Sequence, residues 1–310
     1  MKVAFVFPGQ GSQSVGMLDG FAQEPAVVDV LRRASAALGQ DLAPLIAQGP
    51  AEALNLTVNT QPCMLAASYA MFAAWRAAGG RVPDAMAGHS LGEYTALTAA
   101  GSLALEDAIP LVRFRAQAMQ EAVPVGTGAM AAILGLDDDA VRDACREAAQ
   151  GEVVEAVNFN APSQVVIAGH KAAVERACEA AKRRGAKRAV PLAVSVAFHS
   201  SLLAPASAQL RDRLVKVPLA APRVTVVNNI DVQSPRDPTA IRDALARQAA
   251  GPVRWSEIIA RLAADGVTHV VECGPGRVLA GLTRRIASGV ASFAIVDPAS
   301  LSETLKALQG

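Results

Sequence analysis

The sequence predicts an α/β fold: a mostly parallel sheet covered by helices on both faces, interrupted by a smaller inserted subdomain. Three observations predict it. Short apolar runs alternate with longer helical stretches along most of the chain. The first of these runs, residues 2–7, is rich in β-branched and aromatic side chains and ends at Pro8-Gly9, as a buried strand feeding a loop does. Between residues 128 and 192 the rhythm changes to the order β-α-β-β-α-β, the split ferredoxin-like motif. The expected division is 1–127 with 193–310 as the main domain and 128–192 as the insertion.

Taken in order, the first strand is followed by helical patterns, clearest over 61–78. Residues 84–87 read as a short strand and 91–100 as a helix, so Ser90 falls on a strand-to-helix junction. A further helix is expected over 105–122, with Pro110 marking a kink or a later start. In the insertion, strands are expected at 129–134, 153–158, 164–168 and 187–191, and helices at 138–149 and 171–184. The turn Ala161-Pro162-Ser163 joins the two middle strands. Beyond it, 224–228 and 268–272 read as strands, 239–249 and 255–264 as helices, and "CGPGRVLAGL" opens another helix.

Bulk properties narrow the function. The chain has 310 residues, 52% of them hydrophobic, enough for one large domain or two small ones. A net charge of +1 gives no global field for nucleic acid or an anionic membrane, and 4% aromatic content offers few stacking platforms. Cys63, Cys145, Cys178 and Cys273 form no C-x-x-C pair and read as buried reduced thiols. The N-terminal apolar run is too short for a signal peptide, and the longest apolar stretch, 63–75, is too short to span a bilayer. A soluble cytoplasmic protein is expected.

The chemistry centres on "AGHSLGEY", residues 87–94, whose core is G-x-S-x-G. At a strand-to-helix junction this pattern makes a sharp turn that exposes the serine hydroxyl. A serine nucleophile needs a base, and the chain offers four histidines. His89 adjoins Ser90 and is expected to point away and to pack or hydrogen-bond locally. His170 opens a helix of the insertion, where capping or a surface role is expected. His269 lies in an apolar strand as a core histidine. His199, in "SVAFHSS" where the chain re-enters the main domain, takes a modest lead as the base. The backbone N–H of Leu91 is one oxyanion donor of this geometry. A second can come from "PGQGSQ", residues 8–13, whose glycines let N–H groups face a ligand; a structural turn is an equal reading.

"FPGQGSQ", "GHSLGEY", "LVRFRAQAMQ", "GTGAM", "NFNAPSQVVIAG", "VAFHS", "RQAAGPVRW" and "ECGPG" occur in this order from end to end. Together they resemble the malonyl-CoA:acyl carrier protein transacylases of bacterial fatty acid synthesis. The resemblance implies an α/β-hydrolase-like main domain with a ferredoxin-like insertion. It implies Ser90 as the acylated nucleophile, His199 as base and acid, and Gln10 and Leu91 as oxyanion donors through backbone N–H. It also implies Arg115 as the ligand of the malonate carboxylate, and Gln248 as a residue that helps orient the histidine. A planar guanidinium grips a carboxylate bidentately, so a buried arginine favours malonyl over acetyl thioesters. Arg113 falls on another helix face and reads as a surface charge.

Phe198, by the same resemblance, goes with exclusion of an α-methyl branch. The substrates implied are malonyl-CoA and phosphopantetheinylated acyl carrier protein, with no metal or redox cofactor. Lys182, Arg183, Arg184, Lys187 and Arg188 form a basic cluster that reads as a solvated helix end, with docking of an acidic carrier as the alternative. Three rival readings stay open: a serine esterase or thioesterase, malonyl transfer in a polyketide or malonate decarboxylase pathway, and a non-catalytic protein of this fold. Nothing in the sequence requires more than a monomer.

Overall fold

A computed structural model describes residues 1–124, 126–194 and 196–309, so Ser195 of the "SVAFHSS" stretch lies outside the described residues. The chain begins with β1 (Val3–Phe7), then α1 (Pro25–Leu38), α2 (Ala43–Gln48), α3 (Ala51–Leu54) and α4 (Thr57–Ala77). Next come β2 (Ala85–Gly88), α5 (Leu91–Ala99) and α6 (Leu105–Ala122). The insertion contributes β3 (Gly128–Leu134), α7 (Asp138–Ala149), β4 (Val154–Ala161), β5 (Gln164–His170), α8 (Lys171–Arg183) and β6 (Arg188–Pro191). The chain closes with α9 (Ala204–Val215), β7 (Thr225–Val227), α10 (Pro238–Ala249), α11 (Trp255–Ala264), β8 (His269–Cys273), α12 (Val278–Ile286), β9 (Ala291–Ile295) and α13 (Pro298–Gln309).

The main sheet has the order β7-β2-β1-β8-β9 and every pairing is parallel. All five residues of β1 are buried, because helices cover both faces. On one face lies α4, whose residues from Thr60 to Trp75 are almost all buried, so it shows no polar stripe and reads as a continuous apolar run. The helix α6 is continuous through Pro110, which sits near its start, so the expected later start is not taken. Loops at the carboxyl edge of this sheet follow β1, β2, β7 and β8, where ligands of parallel sheets bind.

The insertion forms its own antiparallel sheet of order β4-β5-β3-β6, with α7 and α8 packed on one face. Its other face carries Met130, Val157, Val166 and Ala168 towards Ala197 of the main chain. A single parallel bridge, Asn158 to Val253, joins the two sheets' surroundings, with Phe159 N–H donating to Val253 O at 3.0 Å. The helices α9 and α13 and the strand β9 had no counterpart in the sequence reading. Among the described residues no helix is long and apolar enough to cross a membrane, and no group of three or more His, Cys, Asp or Glu could hold a metal ion. The four cysteines are buried and free.

Candidate active site

The turn between β2 and α5 is set by its two glycines. A Cβ on Gly88 would fall on the Gly92 carbonyl, and one on Gly92 would fall on the Phe7 carbonyl at the end of β1. Only glycine allows the helix to start this close to both strands. Ser90 between them takes φ 53° and ψ −109°, a conformation costing a non-glycine residue on the order of 1–3 kcal/mol. Asn229, just after β7, holds it there. Its Oδ1 accepts from Ser90 N–H at 2.7 Å and its Nδ2 donates to Gly88 O at 2.7 Å.

Ser90 Oγ lies 2.7 Å from His199 Nε2. The other ring nitrogen, Nδ1, faces the backbone carbonyls of Gln248 at 2.9 Å and Gly251 at 3.2 Å. Carbonyls can only accept, so Nδ1 carries the proton and Nε2 presents its lone pair to the serine. Burial, with the Arg115 cation beside it, pushes His199 down to about 3, so the ring is neutral at physiological pH.

Arg115 on α6 is 2% exposed. Its Nη1 donates to Gln61 Oε1 at 3.0 Å, and its Nη2 donates to Gln248 Oε1 at 3.0 Å and Ser90 Oγ at 3.1 Å. The guanidinium also lies 5.3 Å from the centre of the Tyr94 ring. Among the described residues it has no carboxylate at ion-pair distance, and its Nε is buried with no hydrogen-bond partner. Burial holds it below the usual guanidinium range. A buried, incompletely satisfied guanidinium beside a serine hydroxyl is a receptor for an anionic group.

Gln248 acts here through both its backbone and its amide. The backbone carbonyl touches the His199 ring. The side chain does not: its Nε2 donates to Ser90 O at 3.0 Å and to Glu93 Oε2 at 2.8 Å. Glu93, on α5, is 2% exposed and also accepts from Asn229 N–H at 2.9 Å. Burial pushes it up to about 7, against the opposing pull of Gln248, the Asn229 N–H and Arg115.

Ser90, His199, Arg115 and Gln61 line a cleft of about 430 Å³ with Gln10, Gly11, Leu91, Asn158, Phe198 and Val194. The loop after β1 packs on the turn so closely that a Cβ on Gly9 would meet His89 O at 2.6 Å. Among the described residues, the N–H groups of Gln10 and Leu91 donate to no backbone carbonyl, while the Gln10 amide turns to Thr57 Oγ1 at 3.2 Å. Phe198 is half-buried at the cleft wall, packed between the large apolar cluster on the parallel sheet and the small one under the antiparallel sheet. Asn158 Oδ1 is buried with no partner at the same wall.

The other histidines sit elsewhere in the chemistry. His89 takes the packing alternative, with its ring on Trp255, while its hydrogen bond is not local: Nε2 meets Asn160 Oδ1 on β4 at 2.8 Å. Burial holds it neutral. His170 stands at the N-cap of α8, but its Nδ1 accepts from Val153 N–H at 2.9 Å instead of capping the helix. His269 is only partly buried, stacked on Phe293 beside Thr268, so it is no core histidine. Arg113 is half-buried and donates to Gln40 at 2.8 Å. In the basic cluster, Lys182 pairs with Glu179, and Arg183 and Arg184 share Glu147. Glu93, Asn229 and Gln61 had been given no role from sequence. The only signal for them was a polar side chain inside, or at the end of, an apolar segment.

The acyl transferase domain family model matches residues 4–301. The chain is 55% identical over 306 residues to the malonyl CoA-acyl carrier protein transacylase of Escherichia coli (strain K12), covering 98% of this chain and 99% of the relative. It superimposes with a TM-score of 0.97, at 66% identity, on the acyl-carrier-protein S-malonyltransferase of Burkholderia pseudomallei 1710b, covering 99% of this chain and 100% of that one. A malonyl-transacylase solved in complex with its type II PKS acyl-carrier protein matches with a TM-score of 0.98 and 51% identity, covering 99% and 100%. Cleft, neutral imidazole and buried guanidinium thus sit in a chain that belongs to the acyl transferase domain family and, within it, to the malonyl CoA-acyl carrier protein transacylases.

Proposed function

We propose that this protein moves the malonyl group of malonyl-CoA to the phosphopantetheine thiol of acyl carrier protein through a malonyl ester on Ser90, supplying fatty acid synthesis. One observation carries the reading. At a single serine, a neutral imidazole and a buried guanidinium without a carboxylate partner converge. A plain esterase uses only the first of these. The second is of use to an acyl group that brings its own carboxylate.

His199 Nε2 takes the Ser90 proton as Oγ attacks the thioester carbonyl. The oxyanion forms against the N–H groups of Leu91 and Gln10, each worth roughly 3–4 kcal/mol in such sites. Arg115 pairs with the malonate carboxylate. The intermediate collapses, and the CoA thiolate leaves with the proton from His199. The carrier thiol then gives its proton to His199 and attacks the ester, returning Ser90 to its free form. This is ping-pong acyl exchange, and neither half needs a change of oxidation state. Phe198 at the cleft wall limits the α-carbon to an unbranched malonyl unit. Every residue used in this mechanism comes from one chain, so the chemistry asks nothing of a second copy, and a monomer is proposed. The relative solved with a type II PKS acyl-carrier protein favours polyketide supply as the second reading.

Intact mass after a brief exposure to malonyl-CoA tests the proposal. Wild type gains one malonyl group, Ser90→Ala gains none, and acyl carrier protein discharges the adduct with malonyl appearing on the carrier. Discharge by water at the same rate would instead establish a hydrolase.

A further inference from the structure

Arg115 is a cation almost wholly removed from water, and such a cation needs compensating charge. The nearest carboxylate in its hydrogen-bond network is Glu93, but the two do not touch. Between them stands the Gln248 amide, with its oxygen 3.0 Å from Arg115 Nη2 and its nitrogen 2.8 Å from Glu93 Oε2. Asn229 N–H pins the same Glu93 oxygen at 2.9 Å, and the Ser90 carbonyl accepts a second bond from the same amide nitrogen. The amide therefore has one possible orientation, oxygen to the cation and nitrogen to the anion.

We infer that Glu93 and Gln248 are paired positioning residues, with Gln248 as an amide spacer that keeps the Glu93 carboxylate one side-chain width from Arg115. The cation thereby has an acidic side chain close by that does not occupy it. A direct Glu93–Arg115 ion pair would fill the guanidinium with an internal carboxylate, and an incoming acyl carboxylate would then have to displace it. Gln61 fits the same arrangement, since a second neutral amide oxygen, not a carboxylate, meets Nη1 at 3.0 Å. The spacer thus protects selectivity for acyl groups that end in a carboxylate. This inference rests on the proposed role of Arg115 in malonyl transfer.

The test measures kcat/KM for acylation by malonyl-CoA and by acetyl-CoA and follows their ratio. Gln248→Met removes the amide at similar volume, so Glu93 can close on Arg115; the ratio is expected to fall by about 10²-fold. Adding Glu93→Gln removes the competing carboxylate, and the double variant is expected to recover at least about tenfold of that loss. General damage to the site would lower both thioesters together and would not be rescued by a second substitution. If Gln248→Met does not fold, Gln248→Glu supplies the second variant. It places a carboxylate on Arg115 directly and is expected to lose the ratio, while Gln248→Asn, which keeps the amide, retains more of it. A wild type that barely distinguishes the two thioesters would overturn the role of Arg115 and this inference with it. A selective wild type whose ratio survives Gln248→Met, or a double variant no better than the single, would overturn the spacer alone.

Discussion

The carboxyl edge of the parallel sheet and the inserted antiparallel subdomain handle charge in opposite ways. On the insertion, Arg176 meets Glu152, and Arg183 and Arg184 meet Glu147, each pair close and each open to water. Such pairs are inexpensive to form and worth little. At the sheet edge, Arg115, Glu93 and His199 are all buried; the Gln248 amide separates Arg115 from Glu93, and the Ser90 hydroxyl separates Arg115 from His199. That arrangement is costly for stability. The difference shows which part of the chain is organised around a molecule that is not part of it.

The backbone does not divide in the same way; what sets the site apart is how its positive-φ residues are held. Ser90 and His199 both have positive φ without being glycine, and both are held by bonds from distant segments. On the insertion, Gln150 (φ 46°) and Ser163 (φ 59°) also take positive φ without being glycine, beside Gly185 with φ +94° after α8.

The comparison can be broken first at the base. His199→Ala should lower the rate of malonyl transfer by about 10⁴-fold or more, read as acyl-serine formation by quenched mass spectrometry. A loss of less than tenfold would place the base elsewhere. The next effect is on folding. Gly88→Ala drives a methyl into the Gly92 carbonyl and should cost about 3 kcal/mol or more, with loss of acylation. Gly185→Ala has nothing within 4 Å and should cost about 1 kcal/mol of backbone strain, with acylation intact. Urea unfolding of the two variants gives the contrast, and equal losses would erase it.

A third effect is on pH. The folded His199 titrates near 3 against about 6.5 when unfolded. Its contribution is therefore present in full above pH 6.5 and is lost as pH falls towards 3. Between pH 6.5 and 5, wild type should lose up to about 1.4 kcal/mol per pH unit relative to His199→Gln, measured as the difference between their unfolding free energies. Parallel curves would show that the ring is not held neutral. The smallest effect belongs to the insertion. Glu147→Ala should leave malonyl transfer unchanged and shift the melting temperature slightly, with the shift shrinking in high salt. A clear rise in KM for the carrier would make that cluster part of a docking surface.

The parts of this protein that were legible in its sequence are those with local causes. The G-x-S-x-G spacing marked the turn because two glycines four residues apart leave little other reason for that pattern at a strand end. The helix α11 was read to its observed ends, because its apolar face repeats cleanly from Trp255 to Leu262. The strands of the insertion were legible from their alternation and from the Pro162-Ser163 turn. By contrast, β9 is an edge strand with only Ile295 fully buried, so its pattern gave no period. Glu93 was visible in a quoted motif, yet its partners Asn229 and Gln248 lie 136 and 155 residues away. No spacing rule reaches that far. Gln248 was read as a residue that helps orient the histidine, and it is its backbone carbonyl that touches the ring. A helix end places a carbonyl there whatever the side chain, so sequence alone could not separate the two contributions.

The imidazole of His199 leans on two uncharged carbonyls where many serine enzymes place an aspartate. Without that negative charge behind it, the ring is a mild base. A mild base can accept a proton from a thiol, with a pKa of about 8.5, far more readily than from water at about 15.7. If Ser90 carries the malonyl group as proposed, that ester is expected to react with a sulfur nucleophile faster than with water and so to persist between visits of the carrier.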